Sequence, residues 1–167
     1  MNVLSLFDGM SCGQIALKNL GITPRRYFAS EIDKYAMQVA KKNYPDMVHV
    51  GDVTKVSYSD YRDCLVVEKD SGYIQDIPKS RHIDLIIGGS PCQGFSRAGK
   101  NLNFDDPRSK LFFEFVRLVK ELKPKYFLLE NVKMTKEHRD TISDVLGVEA
   151  IYIDSALVSA QTRKRYY

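Results

Sequence analysis

The sequence predicts an α/β fold built on a doubly wound, mostly parallel sheet, and three observations carry that prediction. Short apolar runs alternate with segments of helical spacing along the whole chain. The run at 83–87 is continuously apolar, as expected of a strand covered on both faces. Glycines and carboxylates gather just after these runs, where open parallel sheets keep their functional loops.

Taken in order, Asn2–Leu6 is a first strand that stops at the turn Phe7-Asp8-Gly9. Helical spacing follows through Ile15, Ala16 and Leu17 until Gly21 ends it. Residues 27–30 form a second strand. Tyr35, Met37, Val39 and Ala40 then lie in a helix closed by Asn43 to Pro45. Residues 47–50 give a short third strand leading to Gly51-Asp52, and 83–87 a fourth. A helix over 109–122 places Leu111, Phe112, Phe115, Leu118 and Val119 on one side. Tyr126–Leu129 is a fifth strand, 139–146 a helix and 150–153 a sixth strand. One segment breaks the alternation: 64–67 and 72–74 flank Glu68-Lys69-Asp70-Ser71, a β-hairpin inserted around 64–75. The stretch 88–103 is a long loop at a strand's carboxyl end, a position that usually carries function.

At 167 residues the chain suits one domain, residues 1–167. With 44% hydrophobic and 28% charged residues it is globular in composition, not disordered. Its apolar runs fall far short of the roughly 20 residues that cross a bilayer. Met1 leads almost directly into the first strand with no basic stretch or cleavage site, so no membrane association and a cytoplasmic location are expected. Cys12, Cys64 and Cys92 show no metal-like spacing and read as free thiols. The net charge of +4 is compatible with a polyanionic partner but decides nothing alone. Arg25-Arg26, Lys41-Lys42 and Lys123/Lys125 read as solvated surface.

The strand ends are more informative. After the first comes Phe7-Asp8-Gly9-Met10-Ser11-Cys12-Gly13, after the second Glu31, after the third Asp52. After the fourth comes Gly88-Gly89-Ser90-Pro91-Cys92-Gln93, and after the fifth Glu130-Asn131-Val132. Singly, each has a bland explanation: tight turns need glycine, and a carboxylate at a strand end commonly caps a helix. The first loop lacks the G-x-G-x-x-G pattern, which disfavours a dinucleotide. Jointly they suit a nucleoside with a cationic tail. Glu31 can accept from two ribose hydroxyls and Asp52 from an adenine amino group. Phe7 can lie against the adenine, and the glycines let backbone approach the tail.

In order and placement, Phe7-Asp8-Gly9, Glu31, Asp52, Ser90-Pro91-Cys92-Gln93, Glu130-Asn131-Val132 and Gln161-Thr162-Arg163-Lys164-Arg165 resemble the C5-cytosine DNA methyltransferases. The resemblance runs from Asn2 to Tyr167, and 110–115 also looks like the animal de novo enzymes. It implies a Rossmann-like methyltransferase domain that uses S-adenosyl-L-methionine, releases S-adenosyl-L-homocysteine, and acts on double-stranded DNA in a bacterium or phage-infected cell. It assigns cofactor contacts to Phe7, Asp8, Gly9, Met10, Cys12, Gly13, Glu31, Ile32, Asp52, Val53, Ser90, Pro91 and Leu111. Catalysis falls to Cys92, Glu130, Arg163 and Arg165, and substrate contacts to Gln93, Ser96, Arg97, Asn131 and Gln161.

The implied chemistry needs these residue types. A Cys92 thiolate would add to cytosine C6 and later leave. Glu130 would protonate or hydrogen-bond N3, and to stay protonated near neutral pH such an acid needs a desolvated pocket. Arg165, supported by Arg163, would steady charge near O2. The base would be flipped from the duplex, and the 94–106 loop, carrying Arg97 and Lys100, would close over it.

Three alternatives stand beside this reading. RNA cytosine methyltransferases place their nucleophile in a Thr-Cys motif, but 130–134 contains no cysteine. The transfer-RNA branch of the DNA-type family has a motif resembling Pro-Cys-Gln-Pro-Phe-Thr, against Pro91-Cys92-Gln93-Gly94-Phe95-Ser96 here. A non-catalytic cofactor- or partner-binding module would be expected to lose Cys92 or Glu130, and both remain. In the family resembled, a target-recognition region follows Gln-x-Arg-x-Arg. The expectation is therefore a fragment with its C-terminal part incomplete, or half of an enzyme completed by a second polypeptide. Such a chain should fold as an incomplete sheet with an exposed edge or apolar patch, which favours self-association.

Overall fold

The alternating apolar runs fold into fifteen regular elements among the described residues, which are 1–77, 80, 82–91 and 107–167 of the computed structural model. They are β1 (Asn2–Leu6), α1 (Cys12–Asn19), β2 (Arg26–Ser30), α2 (Lys34–Asn43), β3 (Val48–His49), β4 (Val56–Ser59), β5 (Cys64–Glu68) and β6 (Ile74–Asp76). There follow β7 (Leu85–Gly88), α3 (Pro107–Leu122), β8 (Tyr126–Leu129), β9 (Asn131–Val132), α4 (Lys136–Leu146), β10 (Tyr152–Asp154) and β11 (Lys164–Tyr166). Cys92, Gln93, Ser96, Arg97 and the 94–106 loop lie outside the described residues.

The main sheet is parallel, in the order β3-β2-β1-β7-β8. The chain steps outward from β1 to β3, then returns past β1 to β7 and β8. Right-handed crossovers in the two directions put helices on opposite faces, which is the doubly wound arrangement. The side chains record it with period two. Leu4, Leu6, Phe28 and Ile86 join Phe112, Phe115 and Leu118 of α3 in one core. Val3, Tyr27 and Ala29 pack on the other face with Leu17 of α1. Burying a large apolar side chain is worth about 1.5–3 kcal/mol, so the α3 face, with three such helix residues fully buried, dominates the stabilisation.

The insertion is larger than the sequence predicts. The expected hairpin is a three-stranded antiparallel sheet, β4-β5-β6, because Val56–Ser59 also pairs with β5. Val56, Leu65 and Val67 point into the main core. Arg117 of α3 fastens the insertion, donating from Nη2 to the carbonyls of Val56 at 2.7 Å and Val53 at 3.3 Å.

The sixth strand differs too. It is β10, and it joins no parallel ladder. The Ser155–Leu157 turn and the segment after it reverse the chain, so β10 pairs antiparallel with β11, and β11 pairs antiparallel with β9. The exposed apolar edge expected from the sequence lies at β8, where Tyr126 is 56% and Leu128 47% exposed beside a groove of about 400 Å³. No helix among the described residues is long and apolar enough to cross a membrane.

Candidate functional site

The topological switch falls between β1 and β7, and ligands of open α/β sheets bind at the strand carboxyl ends beside it. The loop after β1 lies there, with residues 89–91 after β7 on one side and Glu31, after β2, on the other. Asp52, after β3, is one strand farther out.

The loop after β1 is tightly wound. Phe7, Gly9 and Ser11 all have positive φ, at 56°, 59° and 65°. For the two non-glycine residues that conformation costs roughly 1–3 kcal/mol each unless surrounding contacts impose it. The winding aims the Gly9 amide at Glu31, donating to Oε2 at 2.7 Å. The amides of Ile32 and Asp33 donate to Oε1 at 2.8 Å each. Glu31 is thus a turn cap, as the bland explanation holds. Oε2 accepts only one bond from the described residues, so it keeps a lone pair for a further donor. Asp52 is also a cap, with Oδ1 accepting from the amide and the hydroxyl of Thr54 at 2.9 Å.

The other cofactor candidates divide. Met10 (54%) and Ile32 (72%) are exposed at these strand ends, as is Cys12. Phe7 and Leu111 are partly buried against the main core, and Val53 is buried in it. Gly13 plays a packing role. A Cβ there would lie 2.5 Å from Ile87 Cδ1 and 2.8 Å from the Tyr27 hydroxyl, so glycine lets α1 pack on the sheet. Asp8 spends both oxygens internally, accepting from Tyr27 at 2.7 Å and from the Ser11 hydroxyl. Tyr27 went unrecognised in the sequence, where it reads as an ordinary strand residue. Ser90 is 5% exposed, and its Oγ has no partner among the described residues; Pro91 beside it is exposed.

Glu130 stands where the chain passes from β8 to β9. Its amide still donates to Gly88 at 2.8 Å, while β9 turns to pair with β11. Val132 faces Arg165 in that ladder, so Glu130, two residues earlier, shares the face and sits diagonally within reach. Arg165 Nε donates to Glu130 Oε1 at 2.6 Å, and Arg163 Nη2 lies 3.5 Å from the same oxygen. The Arg-x-Arg spacing therefore places both guanidinium groups beside one carboxylate. Gly89 packs against the other side: a Cβ there would come within 2.9 Å of Oε2. The desolvated pocket expected for Glu130 is not supplied by the described residues, since its side chain is 32% exposed and ion-paired. Asn131 is 4% exposed, with Oδ1 accepting from the Val132 amide at 2.8 Å and a buried Nδ2 that has no partner among the described residues. Gln161 is exposed.

Fold and site together define a doubly wound α/β domain that carries Glu31, Asp52 and an arginine-paired Glu130 at the carboxyl ends of its strands. The model of the family described as C-5 cytosine-specific DNA methylase matches residues 1–148, and the chain belongs to that family. It is 47% identical over 151 residues to type II methyltransferase M1.ScrFI of Lactococcus lactis subsp. cremoris, covering 84% of this chain and 34% of that protein. It is 38% identical over 140 residues to the orphan methyltransferase M.SPRI of Bacillus phage SPR, covering 83% and 28%. The chain thus spans about a third of the length of these relatives. The crystal structure of S. pombe Dnmt2 methyltransferase superposes with a TM-score of 0.71 at 20% identity, over 99% of this chain and 49% of that one, and this likeness shows the fold.

Proposed function

We propose that this chain carries the cofactor-binding and catalytic residues of an enzyme that methylates carbon 5 of cytosine in double-stranded DNA. The observation that carries the reading is the Glu130–Arg165 pair, held at the strand ends beside Gly89, which precedes Cys92 by three residues in the chain. Family membership and the type II relatives support it.

Three features among the described residues support S-adenosylmethionine as the cofactor: the spare lone pair of Glu31, the open space above Gly9, and the buried Ser90 Oγ that has no partner among them. Glu31 would hold the ribose, Asp52 the adenine amino group and Phe7 the ring. When bound, the cofactor supplies an electrophilic methyl group and leaves as S-adenosylhomocysteine. Cys92 adds its thiolate electron pair to C6 of a flipped-out cytosine. Glu130 delivers a proton or strong hydrogen bond at N3, where the displaced electrons collect. Arg165 orients Glu130 through Nε and, with Arg163, offsets charge at O2. After C5 has taken the methyl group, loss of the C5 proton to a base restores the C5–C6 double bond, the thiolate departs with its electron pair, and N3 returns any proton it took to Glu130. Gln93, Ser96, Arg97, Asn131 and Gln161 are assigned to the DNA. Target recognition is assigned to a C-terminal portion or a second polypeptide.

The test is adduct formation. The chain, with and without a C-terminal portion supplied from a relative, is given S-adenosylmethionine and DNA containing 5-fluorocytosine, whose C5 fluorine blocks the final elimination. A covalent protein–DNA adduct of the expected mass is predicted, and Cys92→Ser should abolish it. An adduct that persists in Cys92→Ser would overturn the nucleophile assignment.

A further inference from the structure

We propose that Tyr27 is a positioning residue for the nucleoside cleft: through the Asp8 carboxylate its hydroxyl holds residues 7–11 in the conformation that delivers the Gly9 amide to Glu31. The inference rests on the reading of Glu31 as the ribose acceptor.

Tyr27 lies within β2, 4% exposed, on the face that α1 covers. Its hydroxyl donates to Asp8 Oδ1 at 2.7 Å, and the fully buried Ser11 donates its own hydroxyl to Oδ2. The Asp8 carboxylate therefore ties the sheet interior to the first residues of α1. Backbone bonds fix it further, with the Asp8 amide donating to the Ser30 carbonyl and the Ser11 amide to the Asp8 carbonyl, both at 3.1 Å. Between these ties the backbone takes positive φ at Phe7, Gly9 and Ser11. Glycine adopts that conformation readily, while Phe7 and Ser11 need contacts that impose it. The Asp8 clamp is that constraint.

A second observation points to the same hydroxyl. A Cβ at position 13 would lie 2.8 Å from the Tyr27 oxygen, so Gly13 leaves the space the phenol occupies. Two residues assigned to the cofactor by resemblance, Asp8 and Gly13, thus both serve Tyr27. Burial, and next the Asp8 carboxylate, push the Tyr27 phenol far above its ordinary pKa, so it stays a donor at any working pH.

The test uses Tyr27→Phe, which removes one oxygen and keeps the buried ring, with Ser11→Ala cutting the other end of the clamp. The Gly9 amide resonance in ¹H–¹⁵N spectra reports its bond to Glu31, and S-adenosylhomocysteine titration reports affinity. Each variant is expected to shift that resonance upfield and weaken binding roughly 2- to 12-fold, a part of the worth of one charge-assisted hydrogen bond. A merely structural role would lower the melting temperature and leave both readouts unmoved, overturning the proposal. Weakened binding with an unmoved Gly9 resonance would also overturn it. If Tyr27→Phe fails to fold, Ser11→Ala decides. If the unsubstituted chain binds no S-adenosylhomocysteine, the ribose reading of Glu31 fails, while the Gly9 resonance still decides the clamp.

Discussion

Removing the Glu31 carboxylate separates a turn cap from a ligand-binding group, because the structure makes it the first and the proposal makes it both. In Glu31→Ala three amides lose their acceptor: Gly9 at 2.7 Å, and Ile32 and Asp33 at 2.8 Å. The bonds from Ile32 and Asp33 are exposed, so those amides regain hydrogen bonds from water at little cost. The Gly9 bond is partly buried, and its loss dominates at about 1.5–3 kcal/mol for a bond to a charged group. With about 2–4 °C of melting temperature per kcal/mol at this chain length, the melting point should fall by roughly 3–12 °C. If Glu31 also accepts from a ribose, binding loses a second charge-assisted bond of similar strength. The Kd for S-adenosylhomocysteine should then rise about 10- to 150-fold. Titration calorimetry well below the lowered melting point, with circular dichroism to confirm folding, measures both effects. Glu31→Gln keeps one acceptor oxygen and should fall between. A lowered melting point with unchanged affinity would mean that the carboxylate is a cap and nothing more, and the ribose assignment would fall.

Two further expectations follow from the packing. Gly89→Ala places a Cβ 2.9 Å from Glu130 Oε2, and the carboxylate, being the end of a flexible side chain, retreats and misaligns its 2.6 Å bond with Arg165. Because displacements near 1 Å cost about 100-fold in positioned chemistry, a shift of a few tenths should slow tritiated-methyl transfer roughly tenfold with little loss of melting temperature. Equal rates would show that the placement of Glu130 is not critical. His49 buries both ring nitrogens without a partner among the described residues, and burial, only partly offset by Asp8, holds its pKa below the ordinary 6.5. The unfolded chain therefore binds the proton more tightly. The stability His49 contributes is complete above pH ~6.5 and is lost as the pH falls through that value toward the lower folded pKa. Melting temperatures from pH 8 to 5 should decline less steeply in His49→Leu than in the unsubstituted chain. Parallel curves would reject the assignment.

The main elements were legible because their signals are local. The run Asn2–Leu6 appears with its bounds unchanged, and Phe112, Phe115 and Leu118 at helical spacing do form the face of α3 that covers the sheet. The family was legible as well, since Phe7-Asp8-Gly9, Ser90-Pro91-Cys92-Gln93 and Arg163-Lys164-Arg165 are contiguous in the chain. What escaped the sequence depends on pairing at a distance. Val56–Ser59 became a strand only because β5 offered it a partner, and residues 150–153 could not announce an antiparallel ladder set by β11. The double use of Asp8 needed Tyr27, nineteen residues away, to arrive from the neighbouring strand. The arginine-paired, one-third-exposed state of Glu130 required Arg165, thirty-five residues on, to fall diagonally across the β9–β11 register. Residue types and periodicity thus determined the strands, helices and motif order, because those depend on near neighbours. Which carboxylates are spent on the fold and which keep a free lone pair was decided only by the tertiary structure, because a hydrogen bond is assigned by distance in space and not by position in the chain.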